Sequence, residues 1–261
     1  MRAKRTLAGA GVRFELPAPG DRTARLDAVR EVVYLLFNEG YAASSGEAWV
    51  RTDLCAEALR LGRMLAELTP RDPESLGLLA LMELQSSRLP ARTAPDGSPV
   101  LLEDQDRSRW DRLLVRRGLD LLSRVEALRG NAGPYALQAA IAPCHARAAR
   151  AEDTDWERIA ALYDGLVQVV PSPVVELNRA VAVGRAFGPE AGLEVVTPLR
   201  GAASLRSYHL LPAVAGDLEC AAGQHAAARD DFLRAAALAG SAADRETMQR
   251  RAAECVAHAD G

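Results

Sequence analysis

A chain of 261 residues, 49% hydrophobic and 26% charged, can bury a large core and is not an intrinsically disordered polymer. No apolar run approaches the roughly 18 residues that span a bilayer, and the opening MRAKRTLAGAG has charge without the apolar stretch of a signal peptide, so a cytoplasmic protein is expected. The net charge of −3 leaves no overall electrostatic footprint for nucleic acid.

In chain order, residues 1–11 read as the tail of a basic helix stopped by Gly9 and Gly11, and FELPAPGD (14–21) as a linker, so that 1–22 form a first segment. From Thr23, the positions Leu26, Val29, Val33, Leu36 and Phe37 predict a helix with one apolar stripe, ending near Asn38-Glu39-Gly40-Tyr41. Ser44-Ser45-Gly46-Glu47 reads as the cap of a helix over roughly 47–68, with Leu54, Ala58, Leu61 and Leu65 inward. The next helix, from about Pro73 to Leu89, is apolar nearly all round and is expected to be central. Pro90–Leu102 breaks the pattern, and PDGS (95–98) predicts a turn and a short hairpin near 91–102. A long helix is then expected from EDQDRSRWDRLL (103–114), capped by Asp104 or Asp106, with Trp110, Leu114, Leu121 and Val125 inward. It ends at Asn131-Ala132-Gly133-Pro134, closing a second segment, 23–132.

Over 133–261, helices are expected at about 135–150, 155–169, 173–186, 190–200, 206–222, 224–239 and 242–260. Ser241 and Asp244 form a capping box for the last, a terminal capping helix. Within this segment GDLECAAGQHAAARDDFLRA (216–235) is one helix-turn-helix unit. Gly216, Ala228 and Ala235 are small where two helices must touch, Phe232 is the bulky wedge, and Gly223-Gln224 makes the turn, which matches the tetratricopeptide pattern. The turn has counterparts at Gly188 and near Asp153, a period of roughly 35 residues. Leu162 and Gly165 stand where Phe232 and Ala235 stand in the best unit. The fold class is therefore all-α: tetratricopeptide-like stacked helix hairpins, an α-solenoid, whose units bury their apolar faces on one another.

Four phrases carry a family resemblance: YLLFNEGYAASSGE (34–47), LLEDQDRSRWD (101–111), EDTDWERIAALYDGL (152–166) and SPVVELNRAVAV (172–183). They resemble the C-terminal extension, similar to tetratricopeptide arrays, of a group of extracytoplasmic-function sigma factors of bacterial RNA polymerase. RAKRTLAGAGVRFELP (2–17) looks like the seam where region 4 ends in that group. The resemblance implies a regulatory and protein-interaction domain whose partners are sigma regions 2 and 4 in cis, core RNA polymerase, and a protein or peptide in a concave groove. A full sigma factor melts the −10 element with region 2 and reads the −35 element with region 4. Neither is present here beyond Arg2, Lys4 and Arg5, so promoter DNA is expected to be reached only through domains outside this chain. A stand-alone adaptor is the alternative, and an all-α enzyme or metal protein a third reading.

Three clusters are candidate interaction surfaces. Asn38, Glu39 and Tyr41 either close a helix, with Gly40 left-handed and Asn38 bonding loose carbonyls, or line a groove toward region 4, region 2 or a partner. Asp104, Asp106, Arg107 and Arg109 either cap a helix and pair locally, or form a polar network docking the loop on preceding helices or a recognition edge. Glu176, Asn178 and Arg179 share a helix, where Arg179 is expected to line the groove and clamp a peptide's carboxylates.

Chemistry-bearing motifs are sparse. Cys55, Cys144, Cys220 and Cys255 lack paired spacing and are expected as buried reduced thiols. Cys220, His225, Cys255 and His258 do not match zinc-knuckle spacing, and adjacent Cys144-His145 diverge on a helix. There is no phosphate-cradling glycine loop, nucleophile elbow or two-histidine metal helix. No catalytic residue, cofactor or metal is expected.

Overall fold

In the computed structural model, residues 9, 18–41, 50–95, 97, 100–128, 132–148 and 150–259 are described. Among them are eleven α-helices and no strand. They are α1 (Arg22–Tyr41), α2 (Thr52–Leu68), α3 (Pro73–Ser86), α4 (Arg112–Ala127), α5 (Pro134–Arg147) and α6 (Trp156–Val169). Then follow α7 (Pro173–Phe187), α8 (Pro189–Leu199), α9 (Leu210–Ala221), α10 (His225–Leu238) and α11 (Ala242–Ala259). Four of these helices start on a proline, which lacks the N–H that a first turn leaves unpaired. The pairs α1/α2, α3/α4, α5/α6, α7/α8 and α9/α10 pack as hairpins, and α11 covers the last.

The unit 216–235 packs as its residue sizes dictate. Phe232 is fully buried, and a Cβ placed on Gly216 would lie 3.0 Å from its ring and 3.2 Å from the Ala228 carbonyl. The chain reverses at Gly223 with φ +75° and at Gly188 with φ +104°, conformations that favour glycine. In the Gly188 unit, α7 and α8 meet glycine on glycine, at Gly184 and Gly192, and the wedge is Leu218 from the next hairpin. The unit turning near Asp153 is looser: a Cβ on Gly165 would find only Leu137, at 3.9 Å.

α3 is the hub, packing on α1, α2, α4 and α5, with eleven of its fourteen residues buried. Its N-terminus is tied down at both ends of its first turn. Asp72 accepts from the Ser75 amide and pairs with the buried Arg30 of α1. Glu74 reaches across to cap α5, accepting from the Tyr135 and Ala136 amides at 2.9 and 3.1 Å.

Four sequence expectations are corrected. Val29 does not face the core: α1 turns Arg30, Val33, Phe37 and Gly40 inward, while Val29, Val32 and Leu35 lie on its outer face. Gly40 is helical rather than left-handed. Its bare Cα admits α2, since a Cβ there would sit 2.7 Å from the Cys55 amide. The helix expected from 103 begins at Arg112, because Asp111, not Asp104 or Asp106, accepts from the Leu113 and Leu114 amides. Among the described residues, the hairpin near 91–102 is reduced to a turn and a bridge residue, Thr93, with Gly97 N–H to Ala94 O at 3.0 Å and Val100 N–H to Arg92 O at 2.9 Å. Residues 1–17 except Gly9, and the Ser44–Glu47 cap, lie outside the described residues.

The C-terminal hairpins share a buried ion cluster. Arg200, just after α8, donates to Glu219 of α9 at 2.8 Å and to Asp231 of α10, and Arg234 lies 3.6 Å from Asp231. Burial and the Asp231 charge push the Glu219 carboxyl up to about 7, against the pull of Arg200 and Arg234. A carboxyl whose folded value is raised stabilises the fold at low pH, and that contribution is lost as pH rises through about 7. The expected result is a melting temperature that falls between pH 5 and 7.5 through this group, with Glu219→Gln flattening the slope. Parallel slopes for the two proteins would rule this out.

Candidate interaction surface

In a stack of hairpins, the first helices of successive hairpins end at the same edge. Here that edge is made of the C-termini of α1, α3, α5 and α7, where unpaired carbonyls leave partial negative charge. The segment 87–111, between α3 and α4, is long for a connection, and its described residues hold three short 3₁₀ turns and no α-helix. It crosses this edge as a strap with arginines at the carbonyls.

The strap starts at α1. Arg92 donates to the Tyr41 carbonyl at 3.0 Å and lays its guanidinium 3.6 Å from the Tyr41 ring centroid. The other face of that ring stacks on Phe37 at 5.6 Å. Arg88 lies 5.8 Å from the Tyr41 centroid, and its charge also reaches Arg107 and His145. Arg107 donates to the last carbonyls of α5, at 2.6 Å to His145 O and 2.7 Å to Ala148 O, with Trp110 buried beneath it. Burial, then Arg88 and Arg107, press the His145 imidazole down to about 4, so it is neutral at pH 7 and packs edge-on against Trp156. At the far end Glu103 pairs with Arg185 in the last turn of α7 at 2.5 Å. The return is fixed by the Asp111 amide on the Ser87 carbonyl, 2.9 Å.

Two of the three expected clusters therefore meet on one edge. Tyr41 and Arg107 both lie near Arg88, whose positive charge opposes that of Arg107, while Asn38 and Glu39 are half-buried on the last turns of α1. Arg107 docks the strap on α5, a later helix rather than a preceding one, while the Asp111 amide holds it to the end of α3. Asp106 caps a short 3₁₀ turn at Ser108, which lowers its carboxyl below the usual value, and Asp104 and Arg109 are exposed. The third cluster lies elsewhere. Arg179 is held by Asp164 of α6 at 2.6 Å and by Glu176 at 3.3 Å, and Asn178 is exposed.

Sequence reasoning missed Arg88, Arg92 and Arg185, because the groups they meet, Tyr41 and Glu103, are 47 or more residues away and follow no helical period. It also missed unused polar valence in the strap. Trp110 Nε1, Gln105 Oε1 and Arg88 Nε are buried without a hydrogen-bond partner among the described residues.

The four cysteines are free, with Cys220 and Cys255 packed together between α9 and α11. No group of three or more His, Cys, Asp or Glu among the described residues could hold a metal. No helix among them is long and apolar enough to cross a membrane.

Fold and site together define an all-helical protein of stacked hairpins with a polar strap along one edge. A family of unknown function, DUF6596, matches residues 25–126, which include α1 to α4 and the whole strap. An uncharacterized protein, R00370, of Rhizobium meliloti (strain 1021) is similar at 48% identity over 243 residues, covering 93% of this chain. The chain spans 57% of the length of that relative.

Proposed function

We propose that this chain is the regulatory, protein-interacting part of a bacterial extracytoplasmic-function sigma factor, acting in the cytoplasm on transcription initiation through sigma regions 2 and 4 and core RNA polymerase. The observation behind this reading is convergence. NEGY and EDQDRSRWD, two phrases that carry the resemblance, lie about 60 residues apart, and the strap that contains the second is pinned to the first where Arg92 and Arg88 meet Tyr41. An edge with buried, unspent donors and acceptors suits a surface that changes partners, since each new contact satisfies groups already desolvated. The relative's greater length leaves room for further domains. The second reading is a stand-alone adaptor, for which the same edge serves a protein partner without polymerase.

The test is run-off transcription by core polymerase with the full-length Rhizobium relative, with and without the segment aligned to this chain. Deletion is expected to change transcript yield several-fold. Unchanged yield at a promoter that the relative selects, or no transcription by the full-length relative from any template, rejects the sigma-factor reading and favours the adaptor.

A further inference from the structure

Away from the strap, a cavity of about 400 Å³ opens between α2 and α4 over the hub helix α3. Its walls are Arg63, Leu79, Glu83, Arg117, Asp120, Leu121 and Arg124. Glu83 is only 1% exposed, an unusual place for a carboxylate on a helix otherwise lined with leucine and alanine. Its Oε1 accepts twice from Arg63, Nε at 2.9 Å and Nη2 at 2.8 Å. Its Oε2 is buried with no hydrogen-bond partner. An acceptor oxygen kept dry and unpaired costs stability that a donor entering the cavity would recover. Arg117 and Arg124 stand one heptad apart on α4, exposed, with no ion-pair partner among the described residues. Leu79 and Leu121 are the apolar wall between the two charges.

We propose that this cavity binds a zwitterion of the α-amino acid type, as a free amino acid or the end of a short peptide. The ammonium donates to Glu83 Oε2 beside the half-exposed Arg63, the carboxylate meets Arg117 and Arg124, and an apolar side chain lies on Leu79 and Leu121. The cavity lies on the side built by the second helices of the hairpins, not along the strap. The site deepens the regulatory reading by naming a ligand class, and rests on it only for any effect on transcription.

The experiment is methyl NMR and calorimetry on the intact chain with four probes: L-leucine, L-leucinamide, N-acetyl-L-leucine and the dipeptide Leu-Leu. Saturable shifts at the Leu79 and Leu121 methyls are expected with leucine or Leu-Leu, and which of the two binds identifies free amino acid or peptide terminus as the source. Removing either ligand charge is expected to weaken binding about tenfold. Glu83→Gln, and the exposed pair Arg117→Ala with Arg124→Ala, are each expected to do the same. The exposed pair leaves the buried core intact and so reports even where Glu83→Gln fails to fold. No saturable shift with any probe, or equal affinity in the arginine variant, overturns the site. Binding without any effect of the ligand on transcription keeps the site and removes its regulatory consequence.

Discussion

Phe232→Ala is expected to destabilise the chain by about 3–5 kcal/mol, measured by urea unfolding. The ring is fully buried against Gly216 and between Ala228 and Ala252, while Arg251 of α11 lies 4.6 Å from its centroid. Three helices lose their common wedge at once, and neighbours anchored by backbone close approach cannot collapse far into the hole. Because each hairpin contacts mainly its neighbours, amide exchange should accelerate in α9 to α11 while α3 stays protected. A loss below about 1 kcal/mol would show that this unit does not hold the C-terminal end together.

Arg107→Ala is expected to cost about 2 kcal/mol and to release the strap. The guanidinium satisfies two carbonyls at the end of α5, and the substitution leaves both without that donor. Hydrogen exchange across 100–111 and the last turn of α5 should rise together, with α9 to α11 unaffected. Arg107→Lys keeps the charge but not the planar fork, so it should restore only part of the protection. If exchange in 100–111 stays at the wild-type level, the strap is held by its other contacts and not by Arg107.

The helical stack was largely legible because its rules are local. Prolines and capping residues marked most helix starts from α5 onward to within a few residues, and small-against-large spacing identified the 216–235 unit. Failures came where a distant partner overrode the local pattern. Val29 fits the apolar stripe, yet α1 rotates to bury Arg30, whose partner Asp72 lies 42 residues away. Gly40 reads as a left-handed stop, yet α2 needs its bare Cα. Three aspartates precede α4, and only the turn at Arg107–Arg109 leaves Asp111 at the cap. Of the candidate surface, Tyr41 and Arg107 were visible as dense polar phrases. Glu83 was not, since one carboxylate inside an apolar run carries no periodic signal.

A solenoid is a spring, its pitch set by how each coil leans on the next. The span from the Tyr41 carbonyl to Arg185 ties coils one to four along a single rim, so bending that would open this rim must stretch Arg92, Arg107 and Glu103 contacts together. Compliance is left to the coils beyond α8, which the strap does not reach. The Glu103–Arg185 rivet is the water-facing one, so raising ionic strength slackens the tether from its far end first.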